Sequence, residues 1–221
     1  MATHAAKTSN GLIEHEVAHH FDSLEQEFDS HKLGMWLFLA SEIMMFGALF
    51  VGALVFLTLH PEAFHQGSTH LDWKLGAINT FFLLTSGLTM GLAVFAAQSG
   101  QQAKVRMNLL ISVVLASGFL VVKSIEYGHK FHDGTLPGKL FTASGFTDPY
   151  VHQFYSLYFV MTGLHGLHVL IGMGLMIWCW FVAGKYRFTR AFFTPVELVA
   201  LYWALVDLIW VFLFPLLYLI G

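Results

Sequence analysis

An all-α membrane protein with five spanning helices is the fold class this sequence predicts, and three observations predict it. Of its 221 residues 56% are apolar and 11% are charged, whereas soluble domains carry roughly 25% charge. The apolar residues gather into five runs, each at or above the ~20 residues that a ~30 Å hydrocarbon layer demands of a helix. No run alternates apolar and polar side chains with period two, which argues against a membrane β-barrel. Eleven basic and 14 acidic side chains are too few to cover a water-soluble surface, and the apolar content excludes intrinsic disorder.

Taken in order, residues 1–31 form a polar, histidine-dotted segment, and residues 32–221 form the membrane domain. The first span runs near Leu33–Leu59, bounded by His31-Lys32 and by His60-Pro61. The second covers Leu75–Ala97, opened by Asp72-Trp73-Lys74 and closed by Gln98-Ser99-Gly100. The third covers about Met107–Tyr127, with Lys123 and Glu126 in its last turns. The fourth, near Val151–Val182, is long enough to tilt or to leave the bilayer. The fifth runs from Pro195, a residue suited to a helix start, to Ile220. The stretch near 128–150 holds Gly134, Pro137, Gly138, Gly145 and Pro149 and reads as an irregular loop. Ala48-x-x-x-Gly52 and Gly87-x-x-x-Gly91 read as places of close helix packing.

Direction follows from the basic residues. Lys7, Lys32, Lys104, Arg106, Lys185, Arg187 and Arg190 fall on one side, and Lys74, Lys130 and Lys139 on the other. The excess places the N-terminus in the cytoplasm and the C-terminus in the periplasm. No cleavable signal is visible ahead of the first span, which is expected to direct insertion itself. A net charge of −3 offers no basic face for nucleic acid. The single cysteine, Cys179, makes neither an intrachain disulfide nor a multi-thiolate metal site.

Chemistry is concentrated in the rare ionisable side chains of the spans: Glu42, Lys123, Glu126, His165, His168, Glu197 and Asp207. Such groups are costly in lipid and face protein, water or a polar ligand. At 1.5 Å per residue, Glu42 lies about 16 Å and Asp207 about 18 Å from the inner ends of their helices, and His165 about 20 Å from the outer end. All three sit near mid-membrane. Two readings follow. One is a proton or ion path through Glu42, a histidine and Asp207; the other is a set of hydrogen-bonded contacts between helices. A relay needs polar links, and the intervening positions are mostly Phe, Leu, Met and Gly. Lys123 and Glu126, three apart, share a helix face and are expected to pair near the outer surface.

His165 and His168 admit metal or haem ligation, or a packed hydrogen-bonded pair. Two histidines three apart on one helix cannot embrace one haem iron from opposite faces, and copper or zinc would need further ligands. His15, His19 and His20 share one side of a weakly amphipathic segment over Leu12–Phe28, for which a solvated or interfacial position is expected.

Three stretches resemble subunit III of the haem–copper terminal oxidases: Trp36-Leu-Phe-Leu-Ala-Ser-Glu42-Ile-Met-Met-Phe46; Glu126-Tyr127 followed by Thr162-Gly-Leu-His165-Gly-Leu-His168-Val169; and Glu197, Tyr202-Trp203 and Asp207 ahead of Trp210-x-Phe-Leu-Phe. The resemblance covers about residue 30 to the C-terminus and matches the short, five-helix bacterial form. Ala204 stands where the family commonly has histidine. The resemblance implies a non-redox accessory subunit in the bacterial cytoplasmic membrane. It would belong to a proton-pumping aa3/caa3-type cytochrome c oxidase, with haem and copper in partner subunits. Subunits I and II, a small subunit IV, phospholipid held in a cleft, and a respiratory supercomplex are the implied partners. By the same resemblance Glu42 is the buried carboxylate, and His165 and His168 are interhelix hydrogen-bonding residues. Glu126 and Asp207 anchor helix ends and helix contacts. Trp36, Tyr202, Trp203 and Trp210 line packing or lipid surfaces, and Lys104, Arg106, Lys185 and Arg187 meet lipid phosphates. The forms Ser41-Glu42 and Glu126-Tyr127-x-His129 favour the cytochrome c branch. Subunit III of a quinol oxidase, or an accessory subunit of a nitric oxide reductase, is the alternative. A small independent transporter, to which Gly163, Gly166, Gly172 and Gly174 would lend a broken helix, is a third.

Overall fold

Two helix starts in this protein are set by side chains that take up free backbone N–H groups, and both lie earlier than hydropathy alone suggests. The computed structural model describes residues 17, 21–143, 146–189 and 192–220. Helix α1 (Leu24–Leu59) is opened by Ser23, whose Oγ accepts the Gln26 N–H at 3.2 Å, while Gln26 Oε1 accepts the Asp22 N–H at 2.7 Å. This reciprocal arrangement is of the capping-box kind. Glu25 and Glu27 in the first turn suit the positive end of the helix dipole. The cap carries α1 back past Lys32 and His31, the polar pair that bounds the apolar run. At 36 residues, or about 54 Å, α1 exceeds the hydrocarbon thickness.

Pro61 stops α1 and begins α2 (Pro61–Thr69), a short helix that hydropathy did not announce. Asp72 Oδ1 accepts the N–H groups of Lys74 (2.9 Å) and Leu75 (3.4 Å) and so caps α3 (Trp73–Gln98). Two helix ends use the same device. After α3, Gly100 adopts φ +70°, with Gly100 N–H on Ala97 O and Gln101 N–H on Ala96 O. After α4 (Gln102–His132), Gly134 adopts φ +68°, with Gly134 N–H on Phe131 O and Thr135 N–H on Lys130 O. Both are Schellman closures, which require a left-handed residue and therefore favour glycine. The expected irregular loop contains a 3-10 turn, Gly138–Leu140, and an isolated bridge between Thr135 and Phe141. Helices α5 (Val151–Lys185) and α6 (Thr194–Tyr218) follow. Five helices, α1 and α3 to α6, are long and apolar enough to cross a membrane. No strand occurs among the described residues.

The chain divides into two compact units, to each of which all five long helices contribute. The first takes the described residues up to Ala40, with Thr85–Leu115 and Leu170–Leu205; the second takes Ser41–Leu84, Ala116–Val169 and the residues from Val206 on. In the first unit Met90, Ala93, Leu109, Met176, Cys179 and Trp203 are buried. Gly172 lies against Trp203, so that a Cβ there would stand 2.6 Å from the indole. Gln102 closes the end of α5: its Nε2 donates to Ala183 O (2.6 Å) and Tyr186 O (2.7 Å), and its Oε1 accepts the Phe188 N–H (3.1 Å). In the second unit the core is aromatic, with Phe46, Phe64, Phe119, Phe154, Tyr158 and Trp210 buried. The Ala48-x-x-x-Gly52 motif does not pack as expected: both residues are exposed, and a Cβ on Gly52 would meet nothing. The same holds at Gly91.

Candidate functional site

Each unit gathers its own polar groups. In the second, Glu42 of α1 and His168 of α5 meet, with Oε2 and Nε2 at 3.0 Å. His168 Nδ1 lies 2.7 Å from Leu164 O, one turn back. A carbonyl oxygen only accepts, so Nδ1 carries a hydrogen. The contact between Nε2 and a carboxyl oxygen is then attractive only with a proton between them, whether it belongs to the acid or to the imidazole. Phe46 covers the imidazole edge-on at 5.1 Å.

The second cluster of this unit is a closed one. Lys123 Nζ donates to Glu126 Oε2 (3.0 Å), Tyr158 OH (3.1 Å) and Tyr218 OH (2.8 Å), which uses all three ammonium hydrogens. Glu126 Oε1 accepts from Tyr158 OH (2.8 Å) and Tyr218 OH (2.5 Å). The ion pair expected from the i,i+3 spacing therefore forms, and two tyrosines from α5 and α6 enclose it. Beside it, Thr162 Oγ1 donates to Tyr158 O (2.7 Å) and so receives the Tyr127 hydroxyl hydrogen at 2.6 Å. Lys130, also buried, donates to His70 O.

His165 departs from expectation. It is fully buried, but neither ring nitrogen has a hydrogen-bond partner. The ring sits between Phe119 (5.5 Å, 81°) and Trp210 (5.2 Å, 32°). The interhelix hydrogen bond expected of the histidine pair thus belongs to His168 alone. Three residues bring His168 one turn on and rotate it toward Glu42, leaving His165 among aromatic rings. Asp207 is buried as well, and its Oδ1 has no partner. Of the two readings, a path through Glu42, a histidine and Asp207 is joined only between Glu42 and His168.

The first unit holds neutral contacts. Trp203 Nε1 donates to Ser86 Oγ at 2.8 Å, and Thr89 Oγ1 lies 2.7 Å from Ser112 Oγ. The unit also holds the ion pair of Glu197 with Lys32 (3.0 Å), with side chains 18% and 36% exposed. A cavity of about 390 Å³ is lined by Phe28 and Met35 of α1, Leu175 and Trp178 of α5, and Pro195 and Leu198 of α6. Glu27 and His31 also border it.

The lipid-facing expectations divide. Trp36 is 54% exposed, and Lys104, Lys185 and Arg187 are exposed. Tyr202, Trp203 and Trp210 are buried inside the chain at 3%, 1% and 0%, so they are packing residues with almost no surface for lipid. Their amphipathic rings suited either place, and the hydroxyl groups of Ser86 and Thr80 supply the indole partners of the two tryptophans from within. Arg106 is half-buried, its guanidinium 4.3 Å over the Trp180 ring, whereas its neighbour Lys104 is exposed. His4, His15, His19, His20, Lys7, Gly145 and Arg190 lie outside the described residues, as does the Lys139 side chain.

Tyr158, Tyr218 and Asn79 are not singled out by any pattern along the sequence. The signal is present for the tyrosines, since a phenol buried in a span usually finds a partner. Among the described residues no group of three His, Cys, Asp or Glu side chains is arranged to hold a metal.

A model of the cytochrome c oxidase subunit III family matches residues 14–221, a span that begins before the motif-bearing helices. The chain is 31% identical over 208 residues to the probable quinol oxidase subunit 3 of Staphylococcus epidermidis, covering 92% of this chain and 96% of that protein. It is 30% identical over 204 residues to the proteins of the same description from Staphylococcus haemolyticus and Staphylococcus aureus, covering 90% of this chain and 94% of each. Five membrane-spanning helices and a match over nearly the whole length lead to one conclusion: the chain belongs to the cytochrome c oxidase subunit III family, a multi-pass membrane subunit of the haem–copper oxidases.

Proposed function

We propose that this chain is the non-redox accessory subunit of a proton-pumping aerobic oxidase in a bacterial cytoplasmic membrane, where it steadies the catalytic subunit and holds phospholipid. The observation that carries this reading is that two of its ionisable clusters are closed by the protein itself. Lys123 and Glu126 are enclosed by two tyrosines, and Glu42 is engaged by His168. Groups held in this way stiffen contacts between helices and present no open position to haem or copper. Those centres belong, on this reading, to subunits I and II, with a small subunit IV and a larger respiratory supercomplex as further partners. The N-terminus lies in the cytoplasm and the C-terminus outside, as the basic residues suggest. The exposed apolar side of α1, with Leu33, Trp36, Leu37 and Met44, suits lipid or a neighbouring subunit, and Lys104, Lys185 and Arg187 suit phosphate headgroups.

The electron donor separates two branches. The Ser41-Glu42 and Glu126-Tyr127-x-His129 forms support cytochrome c; the relatives at 31% and 30% identity bear the name quinol oxidase and support a quinol. Oxygen consumption by the purified complex with reduced cytochrome c, and separately with a reduced quinol, decides between them. Turnover with quinol alone removes the cytochrome c reading.

The supporting role is tested at Glu42. Glu42→Gln retains a group able to hydrogen-bond His168, so haem content and assembly are expected to be unchanged. Phospholipid retention or the number of turnovers before inactivation is expected to fall. Loss of haem from the assembled complex would contradict the supporting role.

A further inference from the structure

We propose that the second unit contains a hydration site around Trp210, in which ordered water bridges Asn79, His165 and Asp207. All three are buried, from α3, α5 and α6 respectively. Both side-chain atoms of Asn79, both ring nitrogens of His165 and Oδ1 of Asp207 have no hydrogen-bond partner in the protein. Asn79 and His165 are 0% exposed, so no neighbouring chain reaches them.

Trp210 touches one of the three and lies close in the fold or along its helix to the positions of the other two. Its Nε1 donates at 3.0 Å to Thr80 Oγ1, the residue that follows Asn79 on α3. Its ring lies 5.2 Å from the His165 ring. Asp207 precedes it by three residues on α6, the spacing of side-chain neighbours along a helix. Buried polar groups are rarely left unpaired, and those that the protein does not pair are met by internal water held by two to four such groups.

The donor set selects water over an ion. Asn79 brings one acceptor and two donors, a neutral imidazole brings one of each, and a carboxyl oxygen accepts. Only a ligand that both donates and accepts satisfies this mixture. The Lys123 ammonium, 5.3 Å from the Trp210 ring centroid, repels a cation, and the Asp207 carboxyl group disfavours an anion. The site rests on this chain's own residues and is independent of which electron donor the complex uses.

Radiolytic labelling tests it, because hydroxyl radicals formed from bound water modify adjacent side chains that bulk solvent does not reach. The intact oxidase complex is equilibrated in ¹⁸O-water and irradiated briefly. Trp210 and Phe119 are expected to take up ¹⁸O several-fold faster than Phe188, which is equally buried at 0% and lies in the other unit. His165→Phe is expected to lower uptake at Trp210 and Phe119 several-fold and leave Phe188 unchanged. Should that variant not assemble, Asn79→Leu carries the same expectation. Equal uptake at Trp210, Phe119 and Phe188 in the native complex overturns the proposal, as does unchanged uptake at Trp210 in an assembled variant.

Discussion

The two units draw on the same five helices and solve opposite problems. The first buries neutral groups, such as the Trp203 indole on the Ser86 hydroxyl, and leaves its Lys32–Glu197 pair partly exposed. The second buries charge: Lys123 and Glu126 have side chains only 8% and 2% exposed. An indole needs one acceptor, whereas an ammonium removed from water needs a partner for every hydrogen and a counter-charge. The aromatic character of the second core follows, because tyrosine packs as an apolar ring and still delivers a hydroxyl group. Four rings, those of Tyr127, Tyr158, Trp210 and Tyr218, also lie within 5.0–5.5 Å of the Lys123 ammonium and add cation–π attraction.

The contrast is broken most severely at Lys123. Lys123→Met keeps the side-chain volume but leaves the Glu126 carboxylate buried without its cation, a loss of about 3–5 kcal/mol. Thermal release of the subunit from the complex is expected to occur at a clearly lower temperature. The double variant Lys123→Met with Glu126→Leu is expected to recover much of that loss, since no charge remains to be desolvated. A double variant as unstable as the single one would show that packing, not charge, dominates this cluster.

The first unit is most vulnerable to shape. Gly172→Val places side-chain carbons into the space held by Trp203, at a cost of about 1–3 kcal/mol. The expected result is lower thermal stability with unchanged dependence on salt. An unaltered transition would mean that the Trp203 ring moves aside freely.

The smallest effect is expected at Lys32. Lys32→Ala removes a half-exposed ion pair worth about 0–1 kcal/mol, and this small difference should vanish at high salt. A loss approaching that of Lys123→Met would erase the distinction between the units.

Much of this architecture is legible along the chain. Span number and order come from hydropathy and length. Helix ends come from Ser23, Asp72, Gly100 and Gly134, whose side chains or φ values act within a few residues of themselves. The apolar run nevertheless starts nine residues after helix α1 does, Leu33 against Leu24, because hydropathy marks where lipid begins and capping marks where the helix begins. Tyr202, Trp203 and Trp210 were open to two readings for a related reason. An amphipathic ring in a span fits a lipid boundary or a core equally well, and the helix rotation that decides between them is set by other helices.

By itself the sequence determined a five-span membrane subunit and the seven ionisable side chains around which its chemistry is arranged. Those properties depend on composition and on neighbours a few residues away. Only the tertiary structure decided which of these groups meet. Glu42 finds His168 at a separation of 126 residues, and Lys123 finds Tyr218 at 95. His165, three residues from His168, finds no polar partner in the protein. A partner is chosen by how one helix is rotated and raised against another, and packing of whole helix faces settles both.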